Sequence, residues 1–219
     1  MPWTEARLRR VQLALPRRFT VVAHLGAGLG LRQGEILGFS PDDVDREEMV
    51  VNVVRQIRMV GRQLVFSAPK RNKERQVPIS AGVLEDLDAY AEEYPAVDVT
   101  LPWGEPGGRP VTVRVLVTRE DGTLYSGDLF NKSVWGPAFT RAGLDYGKRQ
   151  DGMHAMRHLY ASVLLAQGVS IKELAEYLGH EDPGFTLRTY THLMPSSHQR
   201  ARVAVDEFFR AGRSVELTA

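Results

Sequence analysis

Apolar residues along this chain change their spacing several times, and each change predicts an element. Leu8, Val11 and Leu15 recur at helical spacing behind Thr4, a residue suited to capping a helix N-terminus, and Pro16 stops the run. A second helical pattern covers about 17–28. Glycines at 26, 28 and 30 interrupt it before a short helix that ends at Leu37. Ser40-Pro41-Asp42-Asp43 reads as a turn. Three runs rich in Val and Ile, at 49–55, 63–67 and 75–79, then predict strands, and with them a small three-stranded antiparallel sheet. Ser80 opens a helix through about Glu93. Residues 95–128 are the least helical stretch: Gly104, Pro106, Gly107, Gly108 and Pro110 make a loop, and 111–118 with 124–125 flank Asp121-Gly122 as a hairpin.

Helical spacing returns at 131–142 and again at 154–167. In the latter, Met156, Leu159, Tyr160, Val163 and Leu164 form an apolar stripe, while His154, Arg157, His158 and Ala161 share the opposite face. Gly168 ends this helix and 170–178 forms a short one. A segment at about 186–192 follows, then a tail helix over about 197–209 within a tail reaching residue 219. The predicted class is α+β, mainly α-helical. A single domain is expected over 1–219, with its core at about 4–200.

Composition sharpens this picture in three ways. A chain of 219 residues with 43% hydrophobic content can build one substantial core. The formal net charge of +1 means that a polyanionic partner has to be met by clustered charge, not by the total. Such clusters exist at Arg7, Arg9, Arg10, Arg17 and Arg18, and at Lys70, Arg71, Lys73 and Arg75; Asp42, Asp43, Asp45, Glu47 and Glu48 form a compensating acidic patch. There are no cysteines, which excludes disulfides, Cys-based zinc sites and thiol nucleophiles. No apolar run approaches the roughly 18 residues of a membrane span, so a soluble, cytoplasmic protein without a membrane partner is expected.

Three short motifs near the C-terminus carry chemistry: His154-Ala155-Met156-Arg157-His158, Leu178-Gly179-His180 and Thr189-Tyr190-Thr191-His192. On a helix, positions 154, 157 and 158 are neighbours at i, i+3 and i+4, so His154 and Arg157 can address one oxyanion. Phosphodiester cleavage spreads negative charge over two non-bridging oxygens, and catalysis is then mostly positioning plus fixed positive charge. Arginine suits the task because its planar fork donates two parallel hydrogen bonds to a phosphate. A phenol, with a pKa of about 10, needs local positive charge or a base before it can attack. His154 and His158 also have the spacing of a zinc-binding helix. The glutamate of His-Glu-x-x-His is missing, however, and Arg157 would sit beside the ion, so no metal and no other cofactor is expected.

Together with Gly30-Leu31-Arg32-Gln33-Gly34-Glu35 and Pro69-Lys70, these motifs make the chain resemble the catalytic domain of a tyrosine recombinase, the integrase family of phages and mobile elements. The resemblance runs from about residue 4 to about 200 and departs from the family at Ala155, where relatives usually carry an acidic residue. It implies a site made of Arg32, Lys70, His154, Arg157, His180 and Tyr190. Tyr190 would cleave double-stranded DNA through a covalent 3′-phosphotyrosyl intermediate, without metal. Arg32 and Arg157 would clamp the phosphate, His180 would donate to a non-bridging oxygen, and a hairpin lysine would protonate the 5′ oxygen. Lys70 is favoured for that last role over Lys73, with Asn72 as the hairpin tip. Glu35 would brace Arg32 or a helix end, and His158 would support structure. Full-length relatives would work as homo-tetramers on DNA, this domain alone as a monomer. Such integrases place a helical core-binding domain ahead of the catalytic one. Here the catalytic pattern begins almost at Met1, so that domain is expected to be absent, either because this is a piece of a longer protein or because the gene product is short. Two other readings stay open. Residues 169–190 resemble a helix-turn-helix, which would make a non-enzymatic DNA-binding regulator. The same tyrosine and cations also suit a type IB topoisomerase relaxing DNA.

Overall fold

The computed structural model describes residues 3–148, 150–190, 202–203, 205–208 and 210. Helix α1 (Glu5–Ala14) starts where Thr4 caps it, its side chain accepting from the Arg7 N–H, and it packs on α6 (Gly136–Arg141). Between them in sequence lie α2 (Val21–Ala23), α3 (Gln33–Leu37), α4 (Ala81–Glu93) and α5 (Gly127–Phe130). α7 (His154–Ala166), α8 (Ile171–Leu178) and α9 (Pro183–Tyr190) follow. Ser80 caps α4 by accepting from the Val83 N–H, as its sequence position predicts. The predicted tail helix falls largely outside the described residues, although 202, 203, 205–208 and 210 are helical.

α7 is the central helix. It packs against a π-helical turn, His24–Gly28, that continues α2. The glycines read as interruptions in that stretch are close approaches instead. A Cβ on Gly26 would come within 2.5 Å of the Met156 side chain, and one on Gly30, whose φ is +63°, within 2.5 Å of the Tyr160 ring. α7 is also buried more completely than its apolar stripe implies. Arg157 and Ala161 are buried along with Met156 and Tyr160, whereas Val163 is 51% exposed. The stripe and the polar face are therefore not opposite faces, because α7 has neighbours on more than one side.

The strands are real, but their partners differ from those expected. The three-stranded antiparallel sheet consists of β1 (Val44–Asp45), β2 (Val50–Val53) and β5 (Arg75–Pro78), in the order β1-β2-β5. Residues 63–67 do not join it. They form β4 (Gln63–Ser67), which pairs with β3 (Gln56–Val60) in a separate hairpin. A third pair joins β6 (Val97–Pro102) to β7 (Pro110–Val115), so the strand read at 111–118 takes its partner from 97–102, across the glycine-rich loop, and not from 124–125. Asp121-Gly122 is a tight turn closed by the Arg119 N–H to the Thr123 carbonyl at 2.9 Å, not the tip of a hairpin. Cross-strand partners lie far along the chain, so local residue preferences reveal strands without revealing pairs.

The N-terminal arginines that cluster in the sequence are dispersed in space. Arg7 hydrogen-bonds Asp151 at 2.8 Å, Arg10 donates to the Ala142 carbonyl at 2.7 Å, and Arg18 lies over the Tyr94 ring. Arg7, Arg10 and Arg18 are thus spent on tethering α1 and its neighbours, while Arg9 is 74% exposed at its side chain. Asp151 also accepts from the Trp3 indole N–H at 3.0 Å, and the Trp135 indole donates to its carbonyl at 2.7 Å, which fixes the turn that leads into α7. Among the described residues no helix is long and apolar enough to cross a membrane.

Candidate active site

The site assembles around the C-terminal end of α8. Ser170 opens this helix with a capping box, its hydroxyl accepting from the Glu173 N–H while the Glu173 carboxylate accepts from the Ser170 N–H. Gly179 closes it in the left-handed conformation, φ +62°. The last carbonyls of a helix have no partner within it and carry its negative dipole end. Here they receive guanidinium groups. Arg32 donates through Nη2 to the carbonyls of Leu178 at 3.0 Å and Gly179 at 3.2 Å, and Arg157 donates through Nη2 to the same Leu178 carbonyl. Arg157 Nη1 donates to the Gly30 carbonyl at 2.7 Å. Two arginines from opposite ends of the chain therefore lie side by side, and the shared carbonyl offsets their repulsion.

Glu35 holds the first of them. Its carboxylate accepts from the Arg32 backbone N–H at 2.8 Å and from Arg32 Nη1 at 3.0 Å, which is the bracing role expected for it. It also takes a bidentate pair from Arg75, at 2.9 and 2.7 Å. Burial opposes ionisation of Glu35, but the hydrogen bonds and charge of Arg75, with the charge of Arg32, outweigh it and bring the pKa to about 2. The sequence places Arg75 in a basic run with Lys70, Arg71 and Lys73. Its side chain is instead only 4% exposed, with Nε donating to the Tyr177 carbonyl at 2.7 Å. The alternation along β5, with Arg75 and Val77 inward and Gln76 and Pro78 outward, is the signal that could have found it.

His180 follows Gly179 directly and completes a relay. Its Nε2 is 3.3 Å from Arg157 Nη2, and its Nδ1 is 2.7 Å from the hydroxyl of Thr186, a fully buried residue of α9. A guanidinium can only donate, so Nε2 is the acceptor and Nδ1 carries the proton. Burial, then the charges of Arg157 and Arg32, hold the His180 pKa down to about 3. Donation from Nε2 to a phosphate oxygen, the role expected from the resemblance, thus needs a proton that this arrangement lacks and that an approaching phosphate would favour. Desolvation, and then the charges of His158 and Arg157, push the His154 pKa below the ordinary histidine range, although its side chain is exposed along the cleft. Thr186 was not singled out in the sequence, where nothing distinguishes it.

Lys70, Arg32, His154, Arg157, His180 and Lys73 line one cleft of about 470 Å³. Lys70 does not sit on a hairpin between two strands of one sheet. It opens a 3-10 turn, Lys70–Asn72, that joins β4 in one sheet to β5 in another. Arg71 and Asn72 both have positive φ, and Arg71 pairs with Glu181. The rival, Lys73, donates to the His180 carbonyl at 2.5 Å. Lys70 is exposed and makes no hydrogen bond or ion pair among the described residues, which leaves its ammonium available.

Tyr190 ends α9 and is only 1% exposed. Its ring packs on His158, centroids 5.4 Å apart, and the His158 ring stands edge-on to His154 at 4.6 Å. This gives His158 the supporting position expected of it. Burial raises the Tyr190 pKa above the ordinary phenol value, against the charges of Arg157 and Arg32. Tyr190 lies next to the arginines but does not line the cleft; His192 lies outside the described residues.

A model of the phage integrase family matches residues 14–197. The chain belongs to this family. Among its integrase-family relatives, a tyrosine recombinase XerC-like protein of Caldanaerobacter subterraneus is 29% identical over 94% of this chain and 54% of the relative. Tyrosine recombinase XerD of Rhizobium meliloti is 31% identical over 61% of this chain and 38% of the relative. The chain spans about half the length of the curated relatives it matches. Two solved structures carry the same tyrosine recombinase fold. The Tn1549 transposon integrase, in complex with transposon right end DNA, matches with a TM-score of 0.72 at 18% identity, over 95% of this chain and 66% of that one. The catalytic domain of bacteriophage HP1 integrase matches with a TM-score of 0.58 at 21% identity, over 92% of each chain.

Proposed function

We propose that this domain is the catalytic unit of a site-specific DNA recombinase, working on double-stranded DNA in the cytoplasm and, within its full-length protein, as a homo-tetramer. The observation that carries this reading is the convergence of Arg32 and Arg157 on the Leu178 carbonyl, with His180 against Arg157. Tyr190 Oη bonds to phosphorus, the P–O5′ bond breaks, and the phenolic proton passes to a neutral imidazole of the cleft. Arg32 and Arg157 exchange their carbonyl partners for the non-bridging oxygens, while Lys70 gives the leaving 5′ oxygen its proton. The 3′-phosphotyrosyl ester keeps the bond energy needed for rejoining.

Fixed guanidinium charge takes the place of a divalent ion in this scheme. The carboxylates nearest the phosphate site are already committed: Glu35 to Arg32 and Arg75, Glu181 to Arg71, and Asp182 to Arg188. A nicked duplex that releases its short 5′ strand after cleavage should therefore trap a covalent protein–DNA band in EDTA. No band under any condition would favour the regulator reading. A band accompanied by plasmid relaxation but no strand exchange in the full-length protein would favour a topoisomerase.

Lys70 can be tested by changing the leaving group. With sulfur in place of the bridging 5′ oxygen, the leaving thiolate needs no proton. Lys70→Ala should be slow on ordinary DNA and close to wild type on the sulfur substrate. Rescue in Lys73→Ala in its place would move the acid to Lys73, and rescue in neither would leave the 3-10 turn as a backbone grip.

A further inference from the structure

We infer that Arg75 is a positioning residue for cleavage, setting the phosphate clamp from beneath through Glu35 and the end of α8. The inference rests on the recombinase reading. Arg75 touches none of the reacting atoms. It joins the elements that carry them. Its fork grips both oxygens of Glu35, whose carboxylate in turn fixes the Arg32 backbone and Nη1. Its Nε holds the Tyr177 carbonyl, one residue before the carbonyl that both clamp arginines share. The stem passes so close beneath Gly179 that a Cβ there would lie 3.0 Å from Arg75 Cδ, which places the guanidinium under the link to His180. Lys70 precedes it on the same short connection into β5. One buried side chain thus sets the relative placement of Arg32, His180 and the strand that follows Lys70.

The chemistry favours arginine at this position. A lysine could neutralise Glu35, but it could not hold both oxygens and the Tyr177 carbonyl in one plane. With Arg75 replaced, Arg32 becomes the main partner of a buried carboxylate and is drawn toward Glu35, away from the phosphate. A displacement of about 1 Å in a catalytic group can cost on the order of a hundredfold in rate.

The test compares two substrates. Arg75→Lys should melt as a folded protein, bind duplex DNA with an unchanged Kd, and form the covalent adduct about a hundredfold more slowly. On a duplex whose scissile phosphate carries a methyl group in place of one non-bridging oxygen, less negative charge has to be balanced. One of the two stereoisomers should then restore Arg75→Lys to near the wild-type rate on that same substrate, as it should for Arg32→Ala. The Glu35→Gln/Arg75→Gln double variant removes both buried charges at once, so neither is stranded, and should give the same pattern. Equal slowing on phosphate and methylphosphonate would make Arg75 merely structural and overturn the inference, as would a wild-type rate in Arg75→Lys on ordinary DNA. If the wild-type chain itself formed no adduct, the recombinase reading would fail first and take this role with it.

Discussion

A Tyr190→Phe variant should fold as its parent does and leave no covalent band on a nicked duplex. The ring of Tyr190 is buried against His158, and phenylalanine keeps that packing while deleting one oxygen. The stability change should stay within about 1 kcal/mol, the usual net worth of a single hydroxyl. Activity should go to zero, because no other phenol is placed to substitute. Tyr160 packs in the core under Gly30, and burial pushes its hydroxyl up to about 12. An adduct persisting in Tyr190→Phe would sink the assignment. The same variant should bind DNA with unchanged affinity, which separates loss of the nucleophile from loss of the substrate.

The second large effect belongs to the clamp, and the structure makes its two arginines unequal. Removing either should slow cleavage by about a hundred- to a thousandfold, the cost of losing one preorganised donor at a developing oxyanion. Arg157→Ala should also destabilise the fold. Arg157 is fully buried, and its loss strips the Gly30 carbonyl of its side-chain donor; leaving such a group unpaired costs about 1–3 kcal/mol. The Leu178 carbonyl keeps Arg32, so the damage is confined. Arg32→Ala should spare stability: its side chain is 21% exposed, and Glu35 retains the bidentate pair from Arg75. Thermal melts and single-turnover cleavage together separate the cases. Equal melting temperatures for the two variants would show that Arg157 is less tightly built in than its contacts imply. Cleavage by Arg157→Lys at the wild-type rate would remove the bidentate role.

Much of this is legible in the sequence alone. Thr4 and Ser80 act within a few residues of where they stand, so their caps fixed helix starts that the fold reproduces. The i, i+3, i+4 spacing of His154, Arg157 and His158 is a property of one helix, and the bracing of Arg32 by Glu35 spans one helical turn. Local rules reach that far.

What the sequence by itself determined, then, is the inventory: which residue types can carry the chemistry, on which helices, and in what order. Only the tertiary structure decided their partners. It paired 63–67 with 56–60 and left 75–78 beside 50–53, which moved Lys70 from a hairpin to a turn between sheets. It took Arg75 out of a basic run and buried it on Glu35, and it laid both clamp arginines on one carbonyl of α8. It also set the proton of His180, because which nitrogen carries it depends on Arg157 to one side and Thr186 to the other. The physical reason is the same in each case. Helix caps and helical spacing are settled by neighbours along the chain, whereas strand pairing, the burial of a charge and the tautomer of a histidine are settled by groups that only folding brings within hydrogen-bonding distance.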